Sequence, residues 1–198
     1  PAPDGRHIAR VRYEALPGID VLATKFYPLA GLRIDPARSA RRVVRPYTGI
    51  VLSRVADGQE IPIKIPEGSR LGRPQWSHDG HKLAFTRLVE DGVELWIADC
   101  ETGEAKRVLD RHVGTVLGAG FSWMPGSNSL LVHLIPQQRG PEPPTPVVPD
   151  GPHTQDTAGR AAQNRTYQDL LRNRHDGEVF AHHATTQLAV IELSSATV

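Results

Sequence analysis

The side chains with chemical potential are few and scattered. His182 and His183 are adjacent, and neighbouring side chains point to different sides of a helix or strand. They would not ligate one metal ion together without further residues, and none follows at a useful spacing. A surface or packing role is expected. Cys100 is the single cysteine, so no intrachain disulfide can form. A reactive thiol needs a basic, exposed setting, whereas Trp96-Ile97-Ala98-Asp99 before it reads as a strand, which predicts a small buried residue. Asp79 could be offered as an acid, but its place in an Asp-Gly turn already explains it. Asn164-Arg165-Thr166 fits the glycosylation acceptor pattern, which has meaning only in a eukaryotic secretory pathway. No Gly-x-Ser-x-Gly nucleophile elbow occurs, nor a phosphate-binding glycine loop, nor a Cys-x-x-Cys. No catalytic residue, metal or cofactor is expected in this chain. These residues describe a β-scaffold that binds, shields or gates.

Composition agrees. Hydrophobic residues make up 39% of the 198 positions and the mean hydropathy is −0.35, which marks a soluble globular chain long enough to bury a core. The 23 basic and 22 acidic residues leave a net charge of +1, against an electrostatic nucleic-acid binder. No run approaches the length of a membrane span. Pro1-Ala2-Pro3-Asp4-Gly5 carries no initiator Met and no signal-peptide pattern. It reads as the middle of a strand-turn sequence, so the start of the protein is expected upstream.

The elements that must carry these residues are strands. Gln75-Trp76-Ser77, then His78-Asp79-Gly80, then Lys82-Leu83-Ala84-Phe85 is a hairpin pattern, since glycine supplies the positive φ of tight turns. Glu94 to Ala98 follows a polar break at Glu90-Asp91-Gly92. Ala105 to Leu109 follows a turn at Glu101-Thr102-Gly103. Four short antiparallel strands result. The unit recurs: Phe121-Ser122-Trp123 and Leu130-Leu131-Val132 restate it 47 positions on, and Asp4-Gly5-Arg6-His7-Ile8-Ala9 aligns with Asp79 to Ala84. A four-stranded unit repeating every 40–50 residues predicts propeller blades, preferred over a plain β-sandwich, which two clear copies also fit. The predicted fold is all-β, a partial β-propeller of about three to four blades. It should form an unclosed arc, marginally stable and prone to self-association.

Two segments interrupt the blades. Residues Asp35 to Arg45 are arginine-rich and precede a strand at Tyr47 to Leu52. Residues 136–183 form an insertion. Six prolines between Pro141 and Pro152 forbid a sheet interior there. Thr166 is placed as an N-cap for a helix with Tyr167, Leu170 and Leu171 at helical spacing. Val179-Phe180 opens a second helical turn, and Leu188 to Ile191 returns to strand.

Trp76-Ser77-His78-Asp79-Gly80-x-x-Leu83-Ala84-Phe85 with Leu95-Trp96-Ile97-Ala98-Asp99-x-Glu101-Thr102-Gly103 resembles the blade repeat of TolB-type and prolyl oligopeptidase-family propellers. Arg165 to Leu171, with Asp176, Phe180 and Thr186-Gln187-Leu188, is similar to a signature of the glutamyl endopeptidase group of that family. Leu29 to Asp35, Tyr47-Thr48-Gly49-Ile50, Ile135-Pro136, Arg139-Gly140 and Pro149-x-Gly151-Pro152 agree with it. The chain departs from the group at His182-His183, where a tyrosine pair is usual, and at His78, where proline is. The resemblance implies the N-terminal propeller region of a serine peptidase, acting by Ser-His-Asp acyl transfer in a C-terminal α/β-hydrolase domain that no part of this sequence matches. It implies that residues 1–198 are non-catalytic and cap the active site, gating peptide access. The implied partners are peptide substrate and the hydrolase domain, with neither nucleic acid nor membrane. The compartment it implies is periplasmic, cytoplasmic or plastid. A TolB-like protein-binding scaffold without activity is the other expectation.

A peptidase that prefers acidic side chains needs fixed positive charge near its cleft, and the planar guanidinium grips a carboxylate with two bonds. Arg139 and Arg165 bracket the proline-rich loop within the stretches that carry the resemblance. They are the expected substrate-binding residues, with ion pairing to Glu142 or Asp169 as the structural alternative.

Overall fold

The computed structural model describes residues 1–147, 159 and 169–193. Three blades follow one another. In the first, β1 (His7–Tyr13) pairs with β5 (Tyr47–Arg54) and β5 with β6 (Glu60–Pro62). Between β1 and β5 the chain leaves the blade to form α1 (Ile19–Ala23) and a small antiparallel sheet of β2 (Tyr27–Leu29), β3 (Leu32–Asp35) and β4 (Ala40–Arg41). A two-residue strand, β7 (Arg70–Leu71), joins the first blade to the second. The second blade is the complete unit, with β8 (Gln75–Trp76), β9 (Lys82–Leu88), β10 (Val93–Asp99) and β11 (Ala105–Arg107) in sequence order. In the third, β12 (Phe121–Trp123) pairs with β13 (Ser129–Leu134). After a second excursion that contains α2 (Arg174–Ala184), β14 (Gln187–Glu192) pairs with β13.

The repeat expected from the sequence is present in register. Trp76 lies opposite Leu83 in the second blade and Trp123 opposite Leu130 in the third, on separate sheets. The inner hairpins close alike. Ser77 N donates to Lys82 O at 2.9 Å, Met124 N to Ser129 O at 3.0 Å, and Ala2 N to His7 O at 2.7 Å. Blade stacking follows from the period of two in β9 and β10. Leu83, Phe85 and Ala98 pack toward Ile50, Leu52 and Ile61 of the first blade. Ala84, Val93, Leu95 and Ile97 pack toward Phe121, Leu130 and Val132 of the third. The second blade is therefore apolar on both faces, and each fully buried Leu, Ile or Phe contributes about 1.5–3 kcal/mol. Cys100 is buried in the first of these cores, and burial pushes its thiol up to about 12.

Neighbouring inner turns also touch. Asp79 N donates to Ser127 Oγ of the third blade at 3.0 Å. Gly80 has φ +77°, and a Cβ there would meet the Asp4 carboxylate of the first blade at 2.5 Å. Glycine is needed at this position both for the backbone and for the close approach.

The excursions differ from the sequence expectation in two places. The arginine-rich interruption contributes a strand, β4, to a sheet that local pattern did not reveal. Of the helix expected with Thr166 as its cap, Thr166 and Tyr167 fall outside the described residues, and Leu170 and Leu171 are exposed and not helical. The second helical turn, expected to open at Val179, belongs to α2, which begins earlier, at Arg174. Asn173 supplies the cap by accepting from Asp176 N at 2.8 Å. Residues 136–147 form no strand or helix, as their prolines require. Among the described residues no helix is long and apolar enough to cross a membrane.

Candidate functional site

Both excursions leave their blades between the second and third strands. They therefore emerge at the same end, opposite the inner hairpin turns. There they fold against each other. Leu29, Ile34, Val116 and Val179 form a third core, with Tyr27, Leu32 and Phe180 packed on it. Gly31 N donates to Asp169 O at 2.7 Å, and Arg33 lies 3.6 Å from the Asp169 carboxylate. Arg38 ties the first excursion to the second blade, bonding Val89 O at 2.5 Å and Asp35 at 2.6 Å.

Beside this core runs a chain of polar contacts. Arg139 Nη1 donates to Ser39 Oγ at 2.6 Å. Ser39 Oγ and His183 Nδ1 are 2.9 Å apart, and His183 Nε2 is 2.9 Å from Glu142 Oε2. Tyr27 Oη donates to Glu142 Oε1 at 2.7 Å. One assignment of protons satisfies every member: the Ser39 hydroxyl donates to Nδ1, and Nε2–H donates to the carboxylate. The imidazole is then neutral. Burial lowers the affinity of His183 for a proton most, against the opposing pull of Glu142. Burial pushes the Glu142 carboxyl up, but the bonds from Tyr27 and His183 outweigh it and hold it below its ordinary range.

A serine, a histidine and a glutamate in line invite comparison with a catalytic triad. The details exclude it. Ser39 and His183 are each 2% exposed, so no scissile bond can reach the hydroxyl. Ser39 Oγ is already occupied as the acceptor of Arg139, and Ser39 holds a left-handed φ of 47°. The arrangement is a brace in which every polar group is paired.

Of the expected substrate-binding residues, Arg139 is half-buried in this brace and reaches His182 O at 3.4 Å as well as Ser39. Arg165 lies outside the described residues. His183 is an internal link between the excursions, and His182 packs edge-on against it with ring centroids 4.9 Å apart. Sequence reasoning passed over Tyr27 and Ser39, which have no local signature. Ser39 meets a histidine 144 positions away, a distance that no periodicity spans.

A small cavity of about 190 Å³ opens at the same end, between the first excursion and the second and third blades. Arg41 and Arg73 line it with Thr86, Thr115, Gly118 and Ala119.

No family model matches the chain. A probable chloroplastic glutamyl endopeptidase of Oryza sativa subsp. japonica is 37% identical over 204 aligned residues, 96% of this chain and 22% of its own length. Its namesake in Arabidopsis thaliana is 35% identical over 97% of the chain and 21% of its own length. The chain thus spans about a fifth of these relatives. Among solved structures, a putative dipeptidyl aminopeptidase IV from Bacteroides ovatus overlays 68% of this chain and 20% of its own at 15% identity, with a TM-score of 0.42. An acylaminoacyl peptidase from Pyrococcus horikoshii overlays 48% of this chain and 14% of its own at 28% identity, with a TM-score of 0.35. These overlays are partial, and the blade assignment rests on the registers above. On a sequence likeness that runs through nearly all of its residues, the chain belongs with the glutamyl endopeptidase-like peptidases, of which it matches about a fifth.

Proposed function

We propose that this region screens a serine peptidase active site carried by an α/β-hydrolase domain of the same polypeptide. It admits peptides and flexible segments and excludes folded proteins. The observation that carries this reading is the placement of the two excursions, which leave different blades at one end and are held together by the Tyr27–Glu142–His183–Ser39–Arg139 brace. An assembly of this kind fixes the shape of one rim of a propeller, where loops ordinarily carry binding function. The names of the relatives support cleavage beside glutamate. Under this reading Arg139 acts by keeping the rim in place, and Arg165 contacts substrate.

The test uses the full-length polypeptide and compares a short Glu-containing peptide with a stably folded protein substrate. His183→Ala should loosen the rim and raise hydrolysis of the folded protein several-fold, with kcat/KM for the short peptide within about twofold of wild type. An unchanged ratio in a variant whose rim amides exchange faster would overturn the gating role. A full-length protein that neither hydrolyses peptide nor reacts with a fluorophosphonate would instead favour a TolB-like binding scaffold.

A further inference from the structure

Most arginines at the excursion end are committed. Arg33 faces Asp169, and Arg38 bonds Asp35 and Val89 O. Arg42 bonds Val21 O and Leu22 O and lies over the Phe26 ring. Arg87 and Arg107 share Glu94, and Arg139 holds Ser39. Arg41 and Arg73 differ. Both are exposed, both line the cavity of about 190 Å³, and no acidic residue among the described residues lines it with them. Neither side chain hydrogen-bonds or ion-pairs with any described residue.

The remaining walls suit a small anionic side chain. Val43, Leu88 and Val93 supply apolar surface for a methylene stem, while the Thr86 and Thr115 hydroxyls are polar. Gly118 and Ala119 line the cavity too, and their N–H groups donate to no described residue. The floor is kept open by Gly72, where a Cβ would sit 2.2 Å from Thr86 Oγ1. The two arginines come from separate parts of the chain. Arg41 is in β4, which bridges to Thr115 through Ala40, and Arg73 is in the link from β7 to β8.

We propose that the cavity lined by Arg41 and Arg73 is a binding site for the side-chain carboxylate of an acidic residue in a peptide. Two unpaired guanidinium groups present up to ten N–H donors to a group with about four acceptor sites. A cavity of this size holds one side chain rather than a longer ligand. The assignment of a peptide as the ligand rests on the peptidase reading, whereas carboxylate selectivity rests on the cavity alone.

Binding to the full-length protein is measured by NMR saturation transfer with three probes: N-acetylglutamate amide, N-acetylglutamine amide and N-acetylglutamine free acid. The first carries a side-chain carboxylate, the second none, and the third only a terminal one. The glutamate amide should bind about tenfold or more tightly than the glutamine amide, with the free acid close to the latter. Arg41→Gln and Arg73→Gln should each remove most of that preference, and Arg73→Lys should restore part of it. Equal binding of the two amides, a preference untouched in both Gln variants, or a free acid that binds as well as the glutamate amide would overturn the site. A protein that hydrolyses nothing yet shows the preference and its loss would defeat the peptidase reading and leave the site standing. Active protein whose Glu-over-Gln ratio in kcat/KM is the same in Arg41→Gln and Arg73→Gln would do the reverse.

Discussion

The two ends of the blades are built by different rules. At the hairpin end, Asp4-Gly5, Asp79-Gly80 and Gly126-Ser127 close turns by the same bonds in three successive blades. Each turn is closed by a bond between residues five positions apart. At the excursion end, the partners in the brace lie 41 to 144 positions apart, and none repeats from blade to blade. Repetition gives the arc its stack. The unrepeated contacts give one end a shape of its own, and there the side chains of Arg41 and Arg73 lie without a partner among the described residues. A scaffold in which stacking is secured by short-range turns is free to vary the opposite end.

The largest expected effect breaks the excursion end and spares the blades. His183→Ala removes the central link and leaves the buried Ser39 hydroxyl without its acceptor, at about 1–3 kcal/mol, while the freed Glu142 oxygen, on a half-buried side chain, can turn to water. Hydrogen exchange should quicken in β2–β4 and α2, while amides of β9 and β10 keep their protection. Uniform loss across both ends would show that the excursions and the blades unfold as one unit.

A smaller effect breaks the hairpin end. Gly80→Ala forces a side chain into left-handed backbone, costing about 1–2 kcal/mol, and against the Asp4 carboxylate. Thermal melting should fall, and exchange should quicken at the inner turns of the first and second blades with the brace intact. A melting temperature equal to wild type would refute the turn-to-turn contact.

The smallest effect separates the ends by pH. The proton affinity of His183 is lowered on folding from the ordinary value of 6.5, so the unfolded chain takes up the proton first. The brace contributes its full stability above pH 6.5 and loses it progressively as pH falls below that value. Glu142 is also lowered, from 4.5, and adds to the loss in more acid solution. A proton on His183 Nδ1 would face the Ser39 hydroxyl and the Arg139 guanidinium together. Between pH 7 and 5.5 the excursion end should weaken while the blade core, held by apolar contacts, changes little. His183→Ala should flatten that dependence. A pH profile unchanged by the substitution would place the titration elsewhere.

The outward faces of the first and third blades differ in polarity. In the third blade, Leu188 and Val190 are 60% and 53% exposed on one face of β14, beside Leu131 of β13. The corresponding face of the first blade carries Ile8, but also Arg10 paired with Glu60, and Arg12.

Legibility in the sequence followed the range of the interactions. The hairpin at residues 75–85, the third copy at the N-terminus, the return strand at Leu188 and the burial of Cys100 were all readable. Alternation, turn glycines and a 47-residue repeat are local or periodic signals. Leu170 and Leu171 have helical spacing without a helix, and α2 starts at Arg174, ahead of the turn expected at Val179. The cap that decides its position is Asn173, and Leu170 and Leu171 point to solvent. The sheet β2–β4 was missed because its strands are two to four residues long and are held by packing against Val116 and Val179.

By itself the sequence determined the blade, its copies, their turn chemistry and the kinship of the chain. Each is written in residues close together or at a fixed period, where backbone sterics and alternation of side chains decide the outcome. Only the tertiary structure decided what His183 and Arg139 do, and that Arg41 and Arg73 share a cavity with no carboxylate among the described residues. Those facts depend on which distant groups meet once the blades stack. Burial then settles whether a charged or polar side chain finds a partner within the chain or is left facing one from outside.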